Sequence, residues 1–418
     1  MSDKGGKTGS AEVEESVDEL VAQAIKHGVS DIHLEPREDI LLVRFRIDGT
    51  LKEANRLPKK YQSELVGSFK KRANLSSEFN LPQEGSFSES VGGRKYVFKV
   101  SSLPTIDGEK LVVKLYDQQG AFAGLSELGL WGDRLRKVER GAALKKGLIL
   151  LCGPSGSGKS ALASQLLDLI SGASLSLATV EEMVEKRIKG ANQVEIGPGF
   201  HLSYANALKS LGHQGSDVIY VEHLSDPDTV EIALELCLSG KLIIASVNAG
   251  DIFKALERLG HMGAKQSLVY SELKLVTGQR LVKKLCPDCL IHFAPSADYV
   301  QKLLKGLGLS ESELKKIHEG EIVAEKEGLG AGLSLSSSPG AIKKLFRASE
   351  EGCKGCGYSG HKGRIGLFEV ALHGEQALDK TGVASSIDSV NSLAADGLIK
   401  ALRGIVSVED VVKSLGER

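Results

Sequence analysis

Long apolar runs are missing from this chain. Its longest, Leu148 to Cys152 and Leu242 to Val247, fall far short of the about eighteen residues a membrane-crossing helix needs, so the chain is not expected to span a bilayer. An excess of positive charge is missing too: 53 Lys and Arg stand against 54 Asp and Glu, a formal net charge of -1, which makes nucleic acid an unexpected partner. The start, Met1 to Glu15, is polar and acidic and lacks the apolar core of a secretory signal, so residues 1–16 are expected to be an unstructured leader on a cytoplasmic protein. Cysteine is scarce, with 6 residues among 418, and disulfides would be unusual in that compartment. What remains is an ordinary globular composition, 41% hydrophobic and 26% charged, long enough for two or three domains that each bury a core.

Against that background one segment stands out. Gly153, Pro154, Ser155, Gly156, Ser157, Gly158, Lys159 and Ser160 form a complete G-x-x-x-x-G-K-S loop, placed between an apolar run that reads as a buried strand and a leucine-spaced stretch, Ala161 to Ile170, that reads as a helix. Each residue type has a physical role there. The glycines let backbone N–H groups turn inward onto phosphates, the lysine reaches β- and γ-phosphate oxygens, and the Ser160 hydroxyl can ligate magnesium. ATP and magnesium are the expected ligands. A kinase using the same loop is disfavoured because no acceptor-binding motif accompanies it.

Four of the cysteines form two C-x-x-C pairs, Cys286 with Cys289 and Cys353 with Cys356, separated by 63 residues. Four thiolates suit tetrahedral zinc, and the second pair must return to the first through tertiary folding; free or redox thiols are the alternative. Cys152 and Cys237 lie in apolar stretches and read as small buried hydrophobes.

Along the chain, Val17 to Lys26 has helical spacing, and Leu41 to Gly49 alternates and ends in Asp48-Gly49, the signature of a hairpin. A helix over 61–73 and strands over 94–101 and 110–116 complete a small α+β domain at 17–117. A linker and helix at 118–140 follow. From 141 to 285, apolar strands at 148–152, 217–221 and 242–247 alternate with helices such as 228–238, which implies βαβ units and a mostly parallel sheet. A cysteine subdomain is expected at 286–372, containing a Gly/Ser-rich segment from 328 to 340, and a helical subdomain at 373–418, opened by Ser407 and Asp410 as a capping box.

The motifs, taken in order, resemble the secretion traffic ATPases, the hexameric motors of type IV pilus assembly and type II secretion. They are Ser30-Asp31-Ile32-His33-Leu34-Glu35-Pro36, Arg44-Phe45-Arg46-Ile47-Asp48-Gly49, Leu103-Pro104-Thr105 with Gly108-Glu109-Lys110, Gln279-Arg280-Leu281 before the first cysteine pair, and Gly363-Arg364-Ile365-Gly366-Leu367-Phe368-Glu369 after the second. The resemblance covers nearly the whole chain, and the cysteine pairs point to the assembly or secretion branch. It implies an α/β fold: a small α+β N-terminal domain, a RecA-like P-loop domain, a zinc-binding subdomain and a helical C-terminus. It also implies a homo-hexamer or a mixed ring with a paralogue, held at the inner membrane through a platform protein. The module that docks longer relatives to a membrane partner is not expected in this chain.

Departures cluster where hydrolysis takes place in the family. The acidic box, T-x-E-D-P-x-E in relatives, reads Thr179-Val180-Glu181-Glu182-Met183-Val184-Glu185; the glutamate of G-E-(I/L)-R-D becomes His223, with Glu222 one place earlier; and Asn248 replaces the histidine of T-L-H-T-N. Ser86, Lys99, Lys114, Lys209 and His213 occupy places where relatives carry arginines. Two readings stay open. In the first, a working motor, Glu181, Glu182 or Glu222 serves the attacking water while Arg44 and Arg46 sense the γ-phosphate across a subunit interface. In the second, a hydrolysis-impaired subunit, ATP acts by binding alone.

Overall fold

The computed structural model describes residues 8–78, 80–118, 124–172, 174–196, 202–326, 342–373 and 392–416. The chain divides into two units, the first comprising residues 1–121 with 185–187 and the second the remainder.

In the first unit, helix α1 (Thr8–Lys26) is followed by strands β1 (Val29–Pro36), β2 (Ile40–Ile47) and β3 (Thr50–Pro58), helix α2 (Gln62–Arg72), and strands β4 (Gln83–Val91), β5 (Arg94–Thr105) and β6 (Gly108–Asp117). The first helix starts at Thr8, within the stretch expected to be leader; residues 1–7 lie outside the described residues. The expected hairpin forms between β2 and β3, with Ile47 opposite Thr50 and both turn residues left-handed, Asp48 at φ 49° and Gly49 at φ 81°. Those signs are what a two-residue turn matched to strand twist demands. All pairings in this sheet are antiparallel, in the order β3-β2-β1-β6-β5-β4. Alternation places Leu41, Val43 and Phe45 in a core with Val17, Val21, Phe69, Phe98 and Val113, and Leu42, Arg44 and Arg46 on the other face. Each such large apolar side chain contributes about 1.5–3 kcal/mol by leaving water.

The second unit is built on a seven-stranded sheet. Its elements are α3 (Gly132–Ala142), β7 (Gly147–Gly153), α4 (Lys159–Ile170), β8 (Leu177–Glu181), β9 (Ala191–Glu195), α5 (Tyr204–His213), β10 (Val218–Val221), α6 (Pro227–Leu238), β11 (Leu242–Asn248), α7 (Ile252–His261), α8 (Gln266–Glu272), β12 (Leu273–Leu285), β13 (Ile291–Phe293), α9 (Ala297–Leu307), α10 (Glu311–Lys326), β14 (Leu345–Arg347), β15 (His361–Leu372), α11 (Leu393–Leu402) and α12 (Val408–Gly416). Strand order is β15-β12-β7-β11-β10-β8-β9, parallel except where β15 runs antiparallel to β12. Helices cover both faces, so β7 is buried throughout and reads as a continuous apolar run: Leu148, Leu150 and Cys152 enter one core, Ile149 and Leu151 the other.

The expected division at residue 372 cuts through a shared core. Val282 of β12, Ile365 and Leu367 of β15, the leucines of α9 and α10, and α11 with α12 form a single apolar cluster. The physical reason is that β15 completes the central sheet and its outward-facing residues need cover. Ser407 opens α12 as expected, its hydroxyl accepting from the Asp410 N–H at 3.0 Å. The Gly/Ser-rich segment 328–340 lies outside the described residues. Among the described residues no helix is long and apolar enough to cross a membrane.

Candidate nucleotide site and metal centre

The phosphate loop leaves β7 at Gly153 and enters α4 at Lys159, with Gly156 at φ 74° and Gly158 at φ 91° making the turn. Lys159 is 7% exposed and its ammonium donates to the carbonyls of Gly153 and Pro154, both at 2.9 Å, and to Asn248 Oδ1 at 2.8 Å. Three acceptors satisfy all three of its protons. Burial pulls its pKa down to about 8, against a smaller upward pull from Cys152 and Glu222. The Ser157 hydroxyl is buried and has no hydrogen-bond partner among the described residues. An orphaned hydroxyl beside a caged lysine, in a turn at a helix N-terminus, fits a phosphate group.

The loop is braced from β12. Gln279 is 1% exposed and donates from Nε2 to the Ser157 carbonyl at 3.1 Å; Arg280 donates to the carbonyls of Gln279 and Gly250. The Gln279-Arg280-Leu281 motif marked these two residues in the sequence but not the groups they hold. Asn248, where the resemblance places a histidine, sits opposite Gly153 in the β7–β11 register and so holds the lysine directly.

The acidic residues cluster at the ends of β8 and β10, Glu181 as the last residue of β8 and Glu182 and Glu222 just past the strands. Glu181 accepts from the Thr179 hydroxyl at 2.5 Å and from Gln193 Nε2 at 3.1 Å. Glu222 accepts from the Glu182 backbone N–H at 2.6 Å, while its own N–H donates to the Val180 carbonyl. The carboxylate one place early therefore ties the two strand ends together. The buried Tyr204 hydroxyl lies near this cluster without reaching hydrogen-bond geometry, and burial reinforced by Glu222, Glu182 and Glu181 suppresses its ionisation. His223 is held neutral at ordinary pH, its pKa lowered first by burial and then by Lys159.

In the first unit, Arg44 donates to Glu35 at 2.7 Å and Arg46 lies 3.2 Å from Asp31. Ser86, Lys99, Lys114, Asp31 and Arg46 occupy a single row of strand register, so three of the five positions where the resemblance places arginines share a face with Arg44 and Arg46, while Lys209 and His213 lie on α5 of the second unit. Folding thus groups five residues that are scattered between positions 31 and 114 of the sequence.

The cysteine pairs meet. Cys286 and Cys353 sulfurs are 3.7 Å apart, Cys289 and Cys356 3.8 Å, Cys353 and Cys356 3.7 Å, and all four lie within 4.8 Å of one another. A tetrahedron with metal–sulfur bonds of about 2.3 Å has edges of about 3.8 Å, so the set fits zinc and is too open for disulfides. Burial opposes ionisation of Cys356, but N–H groups of Cys353 and Gly360, donating at 3.2 and 3.3 Å, outweigh it and lower the thiol pKa. Cys152 and Cys237 are buried within the apolar core, as expected.

Comparison with known proteins adds three findings. A family model described as "Type II/IV secretion system protein" matches residues 6–413. The chain is 32% identical over 409 residues to the type II secretion system protein E of Dickeya dadantii, covering 95% of this chain and 74% of that one; it is 30% identical to the type IV pilus assembly ATPase PilB of Thermus thermophilus, covering 95% and 42%. The Legionella pneumophila ATPase DotB has the same fold, with a TM-score of 0.63 over 95% of this chain and 94% of that one at 15% identity.

Proposed function

Because the chain belongs to the type II/IV secretion system protein family, the secretion traffic ATPases, we propose that it is an ATP-binding subunit of a type II secretion or type IV pilus assembly machine that turns ATP over slowly. The observation that carries binding is the caged Lys159 beside the orphaned Ser157 hydroxyl. Backbone N–H groups from Gly156 to Ser160 would hold the phosphates, Lys159 would exchange its carbonyl partners for β- and γ-phosphate oxygens, and the Ser160 hydroxyl would hold magnesium. Magnesium supplies charge neutralisation between the phosphates when bound.

The observation that bears on turnover is the Glu222 hydrogen bond to Glu182 N. A carboxylate committed to bracing the acidic box is not free to position a magnesium-bound water, and His223 offers neither charge nor a carboxylate in its place. Glu181 is likewise engaged by Thr179 and Gln193. Glu182 and Glu181 remain the acids through which residual hydrolysis would run, the water being oriented by a carboxylate on β8 or just after it. Arg44 and Arg46 would have to leave Glu35 and Asp31 to meet the γ-phosphate of a neighbouring subunit in a hexameric or mixed ring. These engagements favour the hydrolysis-impaired reading over the brisk motor, and domain motion would then follow nucleotide binding and release.

Cys286, Cys289, Cys353 and Cys356 would hold a structural zinc that joins the loop after β12 to the loop before β15. The chain would act in the cytoplasm at the inner membrane through a platform partner. Steady-state hydrolysis measured beside equilibrium ATP binding, on wild type and Lys159→Ala, tests the nucleotide reading; a wild type that fails to bind ATP sinks it. Metal analysis of the purified protein should find one zinc per chain, and its absence would remove the zinc site.

A further inference from the structure

Glu369 lies on β15, 6% exposed, two strands away from the phosphate loop. Register places it opposite Gly278 of β12, which in turn faces Cys152, the residue before the loop. The carboxylate leans across Gly278 so closely that a Cβ there would come within 2.2 Å of Oε1. Only glycine leaves that path open. At its far end Glu369 Oε1 accepts from the backbone N–H of Ile252, the first residue of α7, at 3.0 Å.

The segment between β11 and α7 is short, and it carries the lysine's side-chain partner. Asn248 ends β11, Gly250 is held through its carbonyl by Arg280, Asp251 caps α7 by accepting from Lys254 N at 2.8 Å, and Arg258 of α7 donates back to the Asn248 carbonyl at 3.0 Å. Anchoring the start of α7 therefore fixes the backbone from which Asn248 reaches Lys159 Nζ. We propose that Glu369 is a positioning residue for the nucleotide site, holding the start of α7 across Gly278 so that Asn248 keeps the phosphate-loop lysine in place. This rests on the nucleotide reading given above.

The surroundings of the carboxyl fit a functional rather than a stabilising role. It faces Asp251 from the turn before α7, Arg280 from β12, Arg134 from α3 and Cys152 from β7, and burial pushes its pKa up to about 7 despite the Ile252 N–H and the two arginines. An acid raised in the folded state loses stability as pH rises from its ordinary value through the raised one, so at neutral pH its charge opposes folding. A carboxylate that costs stability and is nevertheless accommodated by a matching glycine points to a demand other than stability.

The test is ATP affinity of the full chain, by calorimetry from pH 6 to 9, for wild type, Glu369→Ala, Glu369→Gln, Gly278→Ala and the double variant Glu369→Ala/Gly278→Ala. Loss of the helix-start hydrogen bond should weaken binding about threefold to thirtyfold in Glu369→Ala. Gly278→Ala evicts the same carboxylate and should reproduce that loss, and the double variant should be no worse than either single one. Glu369→Gln keeps an acceptor oxygen and should bind within about threefold of wild type. The pH at which affinity breaks reports the lysine: it should rise from near 8 in Glu369→Ala and Gly278→Ala, where Lys159 is released, and stay in Glu369→Gln. Wild-type affinity and an unmoved break in Glu369→Ala would overturn the inference alone, as would losses in the two single variants that multiply in the double. A wild type that binds no ATP would overturn the nucleotide reading and this inference together.

Discussion

The phosphate cradle and the acidic rim are neighbours in the same sheet, and they differ in what builds them. In the cradle, eight consecutive residues supply a turn whose ligands are largely backbone N–H groups, and the one charged side chain is fully hydrogen-bonded. At the rim, the acids come from two strand ends, and Glu181 and Glu222 accept hydrogen bonds from the protein's own groups. A binding site made of local backbone survives side-chain drift. A hydrolytic site assembled from separated side chains does not, because each carboxylate has to be both present and unoccupied.

Four outcomes would sharpen or break this contrast. The largest effect belongs to the cradle: Lys159→Ala removes a buried cation from the phosphates and should weaken ATP binding by about thirtyfold to a thousandfold, as read by calorimetry. Next, because Lys159 is held near a pKa of about 8 before ligand arrives, ATP affinity should fall about fivefold between pH 8 and pH 9, with a proton taken up on binding that two buffers of different ionisation enthalpy would reveal. An affinity flat across that range would mean the cage is not the state that receives ATP.

At the rim, Glu222→Ala leaves the Glu182 N–H without its acceptor and should destabilise the chain by about 1–3 kcal/mol in chemical denaturation, with ATP affinity changed by less than about threefold. Glu222→Gln should recover most of that stability. If Glu222→Ala instead abolished turnover while leaving stability intact, the carboxylate would be catalytic and the contrast would fail. The smallest effect lies far from both. His361 Nε2 lies 2.9 Å from Asp410, which raises the histidine pKa, so the pair stabilises below the ordinary histidine value of 6.5 and the contribution fades as pH rises through the raised one. His361→Gln should reduce stability by under about 1 kcal/mol at pH 6 and by less at pH 9, in the same denaturation assay.

The legible parts of the chain were those where local chemistry decides the outcome. Asp48-Gly49 announced its turn, the apolar run at 148–152 its buried strand, and Ser407 its helix start, because each depends on residues within one turn of chain. The cysteine pairs were legible as a set of four, since spacing within each pair suits chelation and only the long return needed the fold. Less legible was the shared core around β15: the stretch 361–372 follows a cysteine pair in sequence, yet its pairing with β12 makes it an edge of the central sheet. The bonds of Asn248, Gln279 and Glu369 were not legible at all. Each joins groups about 90 or more residues apart, and no periodicity or short motif encodes which carbonyl or amide a buried side chain will meet.

The most direct test sets ATP binding beside ATP turnover on the same purified chain, with the Dickeya dadantii protein E assayed in parallel. The absence of the arginines and of the rim carboxylate that the resemblance places here predicts turnover at least about a thousandfold below that relative while ATP still binds and Lys159→Ala weakens the binding by about thirtyfold to a thousandfold. Turnover equal to the relative's, with the same dependence on Lys159, would contradict the account.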